Sequence, residues 1–211
     1  MRPRRFTYTL AALDADGYVA SADVNSVAVG AAYTIRSAAT HPGDGCSHPV
    51  TINSAGDISG TVFTITGTDA EGRSISENLT GGNAAPTVTS VKYYADVTSV
   101  VRYSGATGAV AFTVGYTAVA RTPIFPTSHV GTVGPTLGVV IGGTVTYSGM
   151  QANGNVFSLA SDTLYFVAIT GMAGATADAY VTSVAGTTGV RVHVASHTSG
   201  TLAITYSQGR D

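Results

Sequence analysis

Ile58-Ser-Gly-Thr-Val-Phe-Thr-Ile-Thr-Gly-Thr-Asp-Ala-Glu-Gly-Arg-Ser-Ile-Ser-Glu-Asn-Leu-Thr80 decides the fold. Two runs rich in β-branched residues flank Gly67-Thr-Asp-Ala-Glu-Gly72. β-branched side chains suit a pleated surface, and Asp and Gly suit a tight reversal, so the spacing predicts a β-hairpin. Thr61, Phe63 and Ile65 fall on one face, and Val62, Thr64 and Thr66 on the other. After the turn, Arg73, Ile75, Glu77 and Leu79 alternate with Ser74, Ser76, Asn78 and Thr80. The chemistry of this stretch is packing chemistry. Nothing in it is spaced as a nucleophile, a base or a ligand set.

Working outward, the same alternation recurs. Phe6, Tyr8 and Leu10 read as a strand behind a short basic start, followed by a turn at Asp14-Ala-Asp-Gly17. Ala28 to Ile35, Thr87 to Val91 and Tyr93 to Tyr103 read as further strands, and Gly105-Ala-Thr-Gly108 as a hairpin turn. Val110, Phe112, Val114 and Tyr116 keep a clean period of two. Residues 121–136 are rich in Pro and Gly and read as a linker or crossover. Beyond it come an apolar run, Leu137 to Ile141, a Gly142-Gly143 turn, and Thr144 to Tyr147. Leu164 to Ile169 and Ala179 to Val184 follow. Val190, Val192 and Val194 face one way, Arg191 and His193 the other, and Leu202, Ile204 and Tyr206 close the chain. No amphipathic helix is evident. Strand starts spaced by about 8–12 residues predict an all-β fold, a β-sandwich or jelly-roll-like arrangement. It is expected as one large domain or two consecutive small ones: 1–40 an N-terminal arm and first strands, 41–120 a β-sandwich domain, and 137–211 a second β domain or the second half of the sandwich.

Composition narrows the way of life. Charged residues make up 10% of the 211, against about 25% in an average soluble domain. A weakly charged surface favours association, so part of the outside is expected to lie against other chains. The formal net charge of −2 exerts no global pull on nucleic acid or anionic membrane. There is no apolar run of the roughly 18 residues that a spanning helix needs. The single cysteine, Cys46, has no internal partner, so the fold needs no oxidising compartment. The basic start has no apolar core of signal-peptide length, which points to synthesis in a cytosol.

Few residues qualify as a site. His41, Asp44, Cys46 and His48 are all metal-ligand types within eight residues, but they match no standard zinc spacing. They are the metal candidates of a chain for which no metal and no cofactor is expected. Asp14-Ala-Asp-Gly and Asp69-Ala-Glu-Gly lack the further ligands of a calcium loop and read as turns. His129, His193 and His197 stand alone, and no catalytic pair, nucleophile elbow or phosphate loop is present. Arg2, Arg4, Arg5, Tyr93 and Tyr94 are the interface candidates, the arginines as an arm onto a neighbouring subunit and the tyrosines as amphipathic contact residues.

Several phrases resemble a family of tailed-bacteriophage virion proteins. They are Val50-Thr-Ile-Asn-Ser-Ala-Gly56, Phe63-Thr-Ile-Thr-Gly-Thr-Asp-Ala-Glu-Gly72, Ser76-Glu-Asn-Leu-Thr-Gly81 and Lys92-Tyr-Tyr-Ala-Asp-Val-Thr-Ser-Val100. Gly143-Thr-Val-Thr-Tyr147 and Ser199-Gly-Thr-Leu-Ala-Ile-Thr-Tyr206 are similar to the closing strands of the same proteins. The resemblance implies a non-enzymatic virion component with no catalytic residues, assembled in the host cytoplasm. It points first to a capsid decoration (cement) protein, a homo-oligomer with a trimer favoured, that bridges subunits of the major capsid protein or other virion proteins. A head–tail connector, a tail or fibre-base component, and a host-receptor or glycan-binding β module are the alternatives. No nucleic acid or membrane partner is expected.

Overall fold

The computed structural model describes residues 3–36, 40–83, 86–105, 108–127, 135–153, 155–156, 159, 164–182 and 186–207. The chain forms two compact units, one nested in the other along the sequence. A terminal unit takes Met1–Ala12, Asp44–Cys46 and Ala118–Asp211, and an inserted unit takes Leu13–Gly43 and Ser47–Thr117. The expected division into consecutive domains is therefore redrawn. The cause is strand β1 (Arg4–Thr9), which pairs antiparallel with β14 (Gly189–Ser207), Arg4 opposite Tyr206 and Thr9 opposite Thr201. The basic start is a strand in its own sheet rather than a free arm.

The inserted unit is built on the expected hairpin, β4 (Val62–Thr68) and β5 (Ser74–Thr80), paired from Val62 with Thr80 to Thr68 with Ser74. The buried Asp69 makes the turn. Its carboxylate accepts from the Glu71 and Arg73 amides at 3.0 and 2.9 Å, and Gly72 takes φ 76°. β7 (Asp96–Ser104) pairs with the other edge of β4 and completes a three-stranded sheet. The opposing sheet runs β2 (Asp14–Asp23), β8 (Ala111–Tyr116), β3 (His48–Ser54), β6 (Val88–Tyr94). Alternation sends Phe63, Ile65, Ile75, Leu79, Val97 and Val100 inward to meet Val50, Ile52, Phe112 and Val114 in one core. Three readings change here. Asp14-Ala-Asp-Gly17 is an irregularity inside β2, where the register with β8 slips between Asp14 and Val19. Ala28 to Ile35 forms no strand; only Ala32 makes an isolated bridge, to Val101. The Gly105 to Gly108 connection is a crossover between the two sheets, not a hairpin turn; its residues 106–107 lie outside the described residues.

Both open edges of this sandwich are tied. Glu77 of β5 accepts from the Val91 and Lys92 amides of β6 at 3.0 and 2.9 Å. On the opposite side, the Tyr33 amide donates to the Val100 carbonyl and the Arg36 amide to the Tyr18 carbonyl, at 2.9 and 3.0 Å. Charge-assisted bonds of the Glu77 kind contribute about 1.5–3 kcal/mol. Glu77→Ala is therefore expected to lower stability by about 1–3 kcal/mol. It is also expected to expose the Val91 and Lys92 amides to fast hydrogen exchange, while Glu77→Gln retains part of their protection.

The terminal unit is one curled antiparallel sheet. Its centre is β14 paired with β11 (Thr136–Ala152) along their full length, with β1, β9 (Ala120–Arg121) and β10 (Phe125–Pro126) on the far edge of β14. β12 (Phe166–Ala168) and β13 (Ala179–Thr182) pair with β11. The linker expected at 121–136 thus contributes two short strands, and its residues 128–134, with His129, lie outside the described residues. Gly142-Gly143 ends no strand: β11 runs through it, with Gly143 at φ 84° opposite Gly200 and a register shift just beyond. It is a corner nonetheless. Leu137 and Gly149 would lie about 40 Å apart on a straight strand, yet a Cβ built on Gly149 would sit 3.1 Å from Leu137 Cδ2. The curl brings Leu137, Val139, Val145, Tyr147, Val190, Val194, Leu202 and Ile204 into one core.

Candidate functional site

The four metal candidates are engaged separately. His41 is exposed. The Asp44 carboxylate holds a loop, accepting from the Ala11 and Cys46 amides at 3.0 and 2.9 Å. Cys46 is buried; burial first, and then the Asp44 charge, push its thiol far up, so it stays protonated. Burial first, and then the neighbouring Cys46 and Asp44, raise the Tyr8 phenol in the same way. His48 is buried beside Tyr116, ring centroids 5.5 Å apart, with Nδ1 2.9 Å from the Thr117 carbonyl oxygen. Among the described residues, no three His, Cys, Asp or Glu side chains gather as a metal-ligand set. The reason is backbone demand: a loop crowded with Pro and Gly has unpaired amides, and its polar side chains satisfy them.

The interface candidates divide. Arg2 lies outside the described residues; Arg4 and Arg5 are exposed on β1. Tyr93 is half-buried. Tyr94 is fully buried, with its hydroxyl 3.4 Å from the Ile65 carbonyl, and so is a core residue rather than an interface residue. The alternation of β6 requires this, because adjacent residues point to opposite faces. The tyrosines on the surface are Tyr103, Tyr165 and Tyr180, exposed by 59, 82 and 65%. Tyr180 stands opposite Gly138 with its ring over the glycine: a Cβ on Gly138 would lie 2.4 Å from it. Nothing in local sequence pairs those two residues, which are brought together only by register.

The acidic side chains show what polar chemistry the fold uses. Among the described residues, seven acidic side chains accept hydrogen bonds from backbone amides: Asp14, Asp23, Asp44, Asp57, Asp69, Glu77 and Asp178. Asp16 forms an ion pair with Arg36 at 3.2 Å. The buried Arg102 turns to carbonyl oxygens, donating to Val27 at 3.1 Å and Gly105 at 2.6 Å. Asp69 serves a turn and lacks the further ligands of a calcium loop.

One group of basic residues clusters. His193 of β14 stands opposite Arg121 on one side and Ser148 on the other, with Arg191 two residues away on the same face. The Arg191 guanidinium lies over the Phe166 ring, 3.7 Å from its centroid. Burial first, then the Arg121 and Arg191 charges, lower the His193 imidazole to about 4 from an ordinary 6.5. The unfolded chain therefore takes up a proton between these values that the native state refuses. The contribution of neutral His193 is full above pH 6.5, is lost as pH falls through that window, and is constant below about 4. With the ring only half-buried, it amounts to about 1–2 kcal/mol after screening. His193→Gln is expected to flatten this part of the stability–pH profile, measured by urea unfolding.

The chain matches no family model, no curated protein and no solved structure. The fold and its polar chemistry define it as an all-β protein of antiparallel sheets, sandwich-like in architecture.

Proposed function

We propose that this chain is a non-enzymatic structural component of a tailed-phage virion, a capsid decoration protein that bridges and stabilises capsid subunits. The observation that carries the reading is the use of seven acidic side chains to hold backbone amides. Ionisable groups occupied in this way serve rigidity rather than turnover. Two further features support it. Charge is sparse, at 10% of residues, and Tyr103, Tyr165 and Tyr180 offer amphipathic surface of the kind enriched at interfaces.

The mechanism is linkage. A protein that binds only the assembled shell stabilises that shell by mass action, and many copies multiply the effect. The self-association proposed with it, trimeric in the favoured form, is tested by light scattering of the purified chain with and without capsid. The deciding experiment is cryo-electron microscopy of the intact particle. Density for this chain at threefold or quasi-threefold sites of the shell supports decoration. Density confined to the portal vertex moves the chain to the head–tail or tail class. Absence from the particle, with binding on a glycan array, overturns the virion reading in favour of a receptor-binding module.

A further inference from the structure

We propose that the open edge of β1 is an interaction surface for a second copy of this chain, which adds its own β1 antiparallel across a two-fold axis at Thr7. The inference is independent of the virion reading, because a two-fold pairing of one edge closes at two copies whatever other surface the chain uses.

Register shows which backbone groups of β1 are open. In an antiparallel pair, positions that exchange both bonds alternate with positions that exchange none. The Leu10 amide donates to the Gly200 carbonyl at 3.1 Å, directly after Thr9 opposite Thr201. Arg4, Phe6 and Tyr8 therefore turn their amides and carbonyls to β14, and Arg5, Thr7 and Thr9 turn theirs away. Among the described residues, no strand lies on that side of β1. The side chains of Arg5, Thr7 and Thr9 are exposed, while Phe6 and Tyr8 pack on the core of the terminal unit. The open row has a definite end. The next outward amide, that of Ala11, donates to the Asp44 carboxylate at 3.0 Å.

A second β1 fits this row in one register. With Thr7 opposite Thr7, Arg5 of each copy faces Thr9 of the other, and every outward position exchanges both of its bonds. A slip of two residues one way sets Thr9 against Pro3, which has no N–H to give. A slip of two the other way sets Arg5 against Ala11, whose amide Asp44 already holds. A slip of four in the first direction sets Arg5 against Arg5, like charges directly opposite. Charges on an edge strand normally oppose pairing. Here they lie at one end, and the two-fold brings the basic start of each copy to the Asp44 end of the other. Arg5 then stops two residues, about 7 Å, short of Ala11, a distance its side chain spans.

So short a pairing covers less than the about 800 Å² per partner of a standard interface, so the dimer is weak, with a dissociation constant on the order of 100 μM. The test is sedimentation and amide exchange of the full chain from about 10 μM to about 1 mM. We expect a monomer–dimer equilibrium. Exchange at Arg5, Thr7 and Thr9 slows about fourfold across that range, while Phe6 and Tyr8, bonded to β14, are unchanged. Thr7→Pro removes an outward N–H alone, which an edge strand tolerates, and abolishes the dimer. Arg5→Glu weakens it, more at low salt than at high. On oxidation Thr7→Cys cross-links to itself, the two Cα atoms about 5.5 Å apart. Thr9→Cys does not, because its two copies lie about 13 Å apart. Cys46 is buried in both variants and cannot substitute. Should Thr7→Pro fail to fold, the two cysteine variants decide. A chain still monomeric at about 1 mM, or cross-linking that is equal at both positions, overturns the proposal. An oligomer that Thr7→Pro leaves intact uses another surface; it too overturns the proposal, and leaves the virion reading standing.

Discussion

Phe63→Ala lowers the stability of the inserted unit by about 3–5 kcal/mol, read as a fall in the urea midpoint at unchanged slope. Phe63 is fully buried between the two sheets. Its ring lies 5.1 Å from Phe112 and 6.1 Å from Tyr33, which is itself 4.8 Å from Phe112. Truncation removes apolar contact with both rings and leaves a gap between two hydrogen-bonded sheets. Sheets tied at both edges, by Glu77 and by the segment ending at Arg36, cannot close readily on that gap. The cost should therefore include most of the cavity term as well as the transfer term. A loss below about 1 kcal/mol would mean that the sheets do collapse and that their edges are not firmly tied.

Gly143→Ala costs about 2–5 kcal/mol and acts on the terminal unit. Two penalties combine. At φ 84° an L side chain is strained by about 1–2 kcal/mol, and a Cβ would stand 2.5 Å from the Ser199 carbonyl oxygen, a backbone atom that cannot rotate away. Relief requires a shift of β14 relative to β11, at a further cost of about 1–3 kcal/mol. Gly72→Ala provides the contrast. It has a similar φ of 76° with nothing within 4 Å of the added Cβ, so it should show the strain without the clash. Thermal unfolding of the two variants compares them directly; equal losses would show that crowding at the corner contributes nothing.

The parts of this fold that were legible in sequence are those whose causes are local. The β4–β5 hairpin is set by alternation and by an Asp and a Gly that make its turn, and its faces fall as the spacing predicts. Val190, Val192 and Val194 likewise face the core while Arg191 and His193 face away. What was not legible depends on register between distant segments. A glycine-rich stretch between strands reads the same whether the chain reverses there, crosses to another sheet, or bends and continues. Gly105 to Gly108 does the second and Gly142-Gly143 the third. The candidate sites divide on the same principle. Tyr94 is internal because of which face of β6 meets the core, and the exposed tyrosines are fixed by neighbours such as Gly138. The basic cluster joins Arg121 to His193 through a strand pair that no spacing in the sequence announces.

The nesting of one unit inside the other has a consequence for the order in which the chain can mature during synthesis. Arg4 pairs with Tyr206, 202 positions later by subtraction. At about 5–20 residues per second, the first strand waits roughly 10–40 s for its partner to leave the ribosome. All strands of the inserted unit, from Asp14 to Tyr116, emerge within that interval and can close around their own core. Phe6 and Tyr8 stay unburied throughout it. The terminal unit is therefore completed after the inserted one, and a ribosome stalled before β14 has emerged holds a finished inserted unit and an unpaired β1, with Phe6 and Tyr8 open to chaperones or to another nascent chain.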